Sequence, residues 1–112
     1  MRTLRIGLCQ INTIVGDIEG NTKKILDYIG QGKRMGVDLL AFPEMAVTGY
    51  PPEDLLFMSK FIEANLKAIK DIARATTSIT AIVGFVDRNE DILNSAALLH
   101  DGNLIDVYSK TF

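Results

Sequence analysis

Between Leu4 and Phe42 the sequence sets two strand-length apolar runs on either side of a helical stripe, and that order leaves few folds open. Leu4, Ile6 and Leu8 alternate with Arg5, Gly7 and Cys9, and Ile11 follows, so residues 4–11 are predicted as a strand. Gly16-Asp17 and Gly20-Asn21 then punctuate the chain, and Asn21 is a residue type that caps a helix by accepting a backbone N–H bond. Ile25, Leu26, Ile29 and Met35 continue as a helical stripe that stops at Gly36. Gly30 and Gly32 weaken this helix, so packing must hold it. Residues 37–42 form a compact apolar run with one acid, Asp38, which suits a buried strand. Strand, helix and strand within this span make one βαβ unit, and its two strands must be parallel.

Residues 43–52 run from Pro43 to Pro52 and read as a loop. Ser59 is predicted to cap a second helix with an apolar face of Ile62, Leu66, Ile69 and Ala73. Residues 79–86 read as a third strand. Residues 93–100 and 104–108 read as two more, joined at His100-Asp101-Gly102-Asn103, where an Asp-Gly pair between apolar runs signals a hairpin. The predicted order is β-α-β-loop-α-β-β-β, an α/β chain with a helix-covered sheet. Residues 1–112 contain no repeat, linker or internal boundary.

Charge and cysteine usage exclude several function classes. Twelve Lys plus Arg against fourteen Asp plus Glu leave no electropositive excess, so no nucleic-acid partner is expected. No apolar run reaches membrane-spanning length, and Gly7, Gln10 and Asn12 interrupt the stretch after the basic start at Met1-Arg2. The single cysteine cannot form an internal disulfide, so a cytoplasmic location is expected. A closed domain of 12.3 kDa would expose about 6,100 Å². The sequence stops at Tyr108-Ser109-Lys110-Thr111-Phe112, directly after a predicted strand, and is expected to be cut from a longer chain.

Few residues offer chemistry. Glu44 follows Pro43 at the carboxyl end of the second strand, where ligand crevices of open α/β sheets lie. A carboxylate there serves as a general base or is an ordinary loop acid. Lys110, at the end of the last strand, either stabilises an oxyanion or is a solvated strand-end lysine. Tyr50, between Gly49 and Pro51, walls a pocket or plugs a helix end. Cys9 sits among Ile6, Leu8 and Ile11 and reads as a small buried hydrophobe, with no histidine or helix N-terminus placed to lower its pKa. His100 lies at a hairpin and reads as facing water. One histidine and one cysteine cannot build a zinc site. Asn94 or Ser95 reads as bracing a neighbouring loop.

The run from Leu39 through Phe42-Pro43-Glu44-Met45-Ala46-Val47-Thr48-Gly49-Tyr50 to Pro51-Pro52-Glu53-Asp54-Leu55-Leu56 resembles the glutaminase domain of glutamine-dependent NAD synthetases, within the nitrilase or carbon-nitrogen hydrolase superfamily. Ile6-Gly7-Leu8-Cys9-Gln10-Ile11-Asn12, Val83-Gly84-Phe85, Asn94-Ser95-Ala96 and Tyr108-Ser109-Lys110 extend the resemblance over the whole chain. It implies a four-layer α-β-β-α sandwich of which these residues are about the first half. It also implies a Cys-Glu-Lys triad in which Glu44 is the general base, Lys110 stabilises the oxyanion and Tyr50 lines the glutamine pocket. The nucleophilic cysteine of the triad falls downstream of Lys110 and is absent from the chain, while Cys9 matches a core position.

The resemblance further implies a parent enzyme that hydrolyses glutamine and passes ammonia to a second domain, which amidates nicotinic acid adenine dinucleotide to NAD. ATP and magnesium would serve that second domain, and none of these 112 residues would bind a cofactor. Its expected partners are glutamine, the remainder of the same polypeptide and further copies in a homo-oligomer. Two other readings stay open. One is part of a stand-alone nitrilase-type amidase. The other is a receiver-like binding module, although Gln10 and Asn12 stand where such a module needs acids.

Overall fold

Gly32, a weak residue for a helix interior, shows how the first βαβ unit closes. A side chain there would stand 2.8 Å from Leu40 Cδ1 and 3.2 Å from Ile79 Cδ1, so the bare backbone lets helix and sheet approach. The computed structural model describes residues 3–112, and the basic Met1-Arg2 start lies outside them. The elements run β1 (Ile6–Leu8), α1 (Ile18–Arg34), β2 (Leu39–Ala41), a 3₁₀ turn (Glu53–Phe57), α2 (Ser59–Arg74), β3 (Thr80–Arg88), β4 (Ile92–His100) and β5 (Asn103–Thr111). They build one five-stranded sheet in the order β1-β2-β3-β4-β5. The first three strands are parallel and the last three antiparallel, as the βαβ and hairpin signals require. At the hairpin, Asp101 (φ 50°) and Gly102 (φ 83°) take the two left-handed positions that a tight two-residue turn demands.

Element boundaries depart from the sequence reading for local reasons. β1 and β2 pair over three residues only, because the chain swings out of the sheet after Cys9 N bonds to Ala41 O (2.9 Å). Asp17, not Asn21, caps α1 by accepting from Gly20 N at 3.0 Å. Ser59 is the first residue of α2 rather than its cap. The cap position falls on Met58, whose carbonyl takes the N–H groups of Phe61 and Ile62. The buried face of α2 is Ile62, Asn65, Ala68, Ile69, Ile72 and Ala73, with Leu66 only half-buried.

Strand alternation gives the sheet two unlike faces. Leu40, Ala81, Val83, Phe85, Ala97 and Leu99 join the core with Ile25, Ile29, Ile69 and Ile72 of the helices. Registered strand positions put Ile6, Leu8, Ala41, Ile82, Leu98 and Tyr108 on the other face. There Ile6 is 53%, Leu8 78% and Tyr108 77% exposed. The total accessible surface, 6959 Å², exceeds the roughly 6,100 Å² of a closed domain of this mass. An apolar face left open drives association, so the 112-residue chain is expected to sediment as dimers or larger species and to bind ANS. A monodisperse monomer without ANS fluorescence would contradict this. Among the described residues no helix is long and apolar enough to cross a membrane.

Candidate active site

The site begins where β2 runs out. Phe42 N makes a last sheet bond to Ile82 O (2.9 Å), and Pro43 then ends the ladder because it has no N–H to offer. Met45 turns the chain at φ 51°, a left-handed conformation that costs a methionine about 1 kcal/mol, and its side chain is fully buried. The 43–49 loop thereby leaves the sheet and aims Glu44 back over it.

Two buried asparagines help hold this arrangement. Departure of β2 leaves the edge of β3 bare beyond Ile82. Val47 N covers Gly84 O at 3.2 Å. Asn65, from α2, covers Val86 on both sides, accepting from its N–H at 3.0 Å and donating to its carbonyl. Asn21 donates to Val47 O at 3.0 Å and to Ile14 O at 2.8 Å, and accepts from Ile14 N at 2.8 Å. Both amides are fully buried and spend their hydrogen bonds on backbone that secondary structure cannot satisfy. Gly84 completes the seat. A Cβ there would collide with Pro43 O and come within 2.5 Å of Met45 N and 2.9 Å of Glu44 C.

Held this way, Glu44 meets two strands. Asn94 of β4 donates its side-chain N–H to Glu44 Oε1. Lys110 of β5, opposite Asn94 in the register, places Nζ 3.7 Å from Glu44 Oε2. The two charged side chains are 53% and 59% exposed, so the pair adds little to stability. Its chemical content is larger: a carboxylate and an ammonium border one cleft of about 270 Å³, with Gly84, Ala96 and Tyr108 in its walls. A proton acceptor beside a fixed positive charge can activate a nucleophile and stabilise the anion that its attack creates.

The remaining sequence candidates lie elsewhere. Tyr50 is 67% exposed and absent from the cleft walls, so the structure does not bring it to Glu44 and Lys110. Cys9 is buried in the core, and burial pushes its thiol pKa up, away from the thiolate that a nucleophile needs. His100 is exposed and pairs its Nδ1 with Thr80 Oγ1 at 2.8 Å. Among the described residues no three His, Cys, Asp or Glu side chains gather as metal ligands. Asn94 does brace a loop, the one carrying Glu44. Sequence reasoning missed Asn65, although an amide on the Ile62, Ile69 and Ile72 stripe was the available signal.

Comparison with known proteins agrees with this architecture. The profile of the carbon-nitrogen hydrolase family matches residues 5–112. The glutamine-dependent NAD(+) synthetase of Thermotoga maritima is 41% identical over 112 residues, covering 98% of this chain and 19% of that protein. The enzyme of the same name from Aquifex aeolicus is 38% identical over 111 residues, again across 19% of its length. The chain thus spans about a fifth of the curated relatives it matches. A crystal structure of a glutamine-dependent NAD(+) synthetase from Cytophaga hutchinsonii superposes with a TM-score of 0.94 at 33% identity, over 99% of this chain and 19% of that one. An amidase from Nesterenkonia sp., at 24% identity, shares the fold with a TM-score of 0.82, and the chain covers 42% of it. The mixed α/β architecture is therefore nitrilase-like and covers part of that fold. By the match over nearly its whole length, the chain belongs to the carbon-nitrogen hydrolase family.

Proposed function

We propose that this chain is the N-terminal part of a glutamine amidohydrolase unit that supplies ammonia to an NAD synthetase. The observation that carries the reading is the facing pair of Glu44 and Lys110 on one cleft, 3.7 Å apart, at the strand ends where the family resemblance assigns a base and an oxyanion-stabilising cation. Glu44 would take the proton from a cysteine thiol contributed from outside these 112 residues. The thiolate would attack the side-chain amide carbon of glutamine, and Lys110 would face the oxyanion that forms. Collapse of that intermediate breaks the C–N bond, and the proton held by Glu44 leaves with ammonia. Glu44 then activates the water that hydrolyses the glutamyl thioester.

Tyr50 enters this proposal as an exposed ring that bound glutamine would meet from outside the cleft. Residues 1–112 act in it as one piece of a larger sandwich, in a homo-oligomeric cytoplasmic enzyme. ATP and magnesium serve the second, amidating site and are assigned no residue of this chain. Relatives named as NAD synthetases at 38–41% identity favour this reading over a stand-alone amidase. The intact protein is expected to release ammonia from glutamine, measured by a coupled glutamate dehydrogenase assay. The 112-residue chain is expected to release none, because its one thiol is buried Cys9. Release by the short chain, abolished by Cys9→Ser, would overturn this placement of the nucleophile.

A further inference from the structure

We infer that Asn94 is a positioning residue that decides which oxygen of Glu44 acts as the base, an assignment that rests on the glutaminase reading of this site. A half-exposed glutamate on a loop has three rotatable bonds and no intrinsic reason to present one oxygen to a cleft. Asn94 supplies that reason. It is 7% exposed, stands on the middle strand of the β3-β4-β5 ladder and lies in register between Val86 and Lys110. Its amide therefore rises from a rigid platform, and it donates to Glu44 Oε1. Oε2 is the oxygen left toward the Lys110 ammonium.

The two donors differ in kind. The neutral amide keeps its proton throughout a catalytic cycle, so Oε1 stays an acceptor. Oε2 is then the atom that gains a proton from the thiol and returns it to the leaving ammonia. The strand register sets the amide and the ammonium side by side on one sheet face. Tilting the carboxylate by about an ångström would misalign Oε2 with its proton donor, a displacement that costs about 100-fold in well-ordered sites.

The test is steady-state glutamine hydrolysis by the intact enzyme carrying Asn94→Ala or the isosteric Asn94→Asp, each alone and combined with Glu44→Gln. Asn94→Ala is expected to lower kcat about 10- to 100-fold with KM within about threefold, and Asn94→Asp to lower it at least as far. In the Glu44→Gln background Asn94→Ala should add less than about twofold, because a residue that works through Glu44 has nothing left to position. NAD synthesis from added ammonium should stay near the unsubstituted rate in every variant, which reports an intact fold. An equal loss in both backgrounds, a loss in KM alone, or an unchanged kcat would each overturn the assignment to Asn94 while leaving the glutaminase reading in place. An unsubstituted enzyme that releases no ammonia from glutamine would overturn both.

Discussion

Glu44→Gln in the intact enzyme is expected to lower kcat for glutamine hydrolysis by about 10³-fold, with KM within about threefold. The substitution is nearly isosteric and keeps an oxygen for the Asn94 amide to donate to. Among the described residues it removes the one carboxylate that lines the cleft beside Lys110. A loss confined to kcat is the signature of a group that acts in the transition state and not in substrate binding. Stability should hardly change, because an exposed ion pair at 3.7 Å contributes about 0–1 kcal/mol. A coupled ammonia assay beside a thermal melt separates the two effects. A kcat within threefold of the unsubstituted enzyme would remove Glu44 from the mechanism.

Gly84→Ala adds one methyl group and is expected to do disproportionate damage: about 2–3 kcal/mol of stability and about 100-fold in glutamine hydrolysis. The new Cβ would meet Pro43 O, Met45 N at 2.5 Å and Glu44 C at 2.9 Å. All three are backbone atoms, so no side chain can rotate out of the way. The 43–49 loop would have to lift, breaking the Val47–Gly84 bond and carrying Glu44 away from Asn94 and Lys110. Gly30→Ala is the matched control. Its Cβ would find only the flexible end of Arg34 at 3.5 Å, and alanine in a helix interior is favourable by about 0.5–1 kcal/mol. Urea midpoints for the two variants should therefore move in opposite directions. A Gly84→Ala midpoint equal to the parent would show that the loop is free to yield.

The sequence carried the sheet well because its signals there are local. The nearly continuous apolar run in residues 79–86 and the Asp101-Gly102 pair determine strand and turn without reference to distant residues. Asn21 misled because a cap and a buried bridge call for the same side chain. Only the positions of Ile14 and Val47 reveal which role the fold uses. Asn65 belongs to the same class, its partner being an edge of β3 that becomes bare only because β2 is short. Glu44 and Lys110 could be nominated from strand ends and from the family resemblance. Their meeting depends on the β3-β4-β5 register, a tertiary property that periodicity does not encode. Tyr50 was nominated by its stiff loop context and by the resemblance, and the loop leaves its ring facing solvent.

The division of β3 into two sides has an evolutionary corollary. Ala81, Val83 and Phe85 maintain cohesion with the helices, while Ile82 and Gly84 attend to the reacting side. Inserting or deleting one residue within the strand would exchange these duties at every later position, turning oily side chains toward the substrate and the glycine seat toward the helices. Apart from Gly84 and Asn94, letters in β3 and β4 can therefore drift within their pattern, but the number of residues within each strand cannot. Tolerated changes of length belong at the Asp101-Gly102 tip and in the turns that flank the helices.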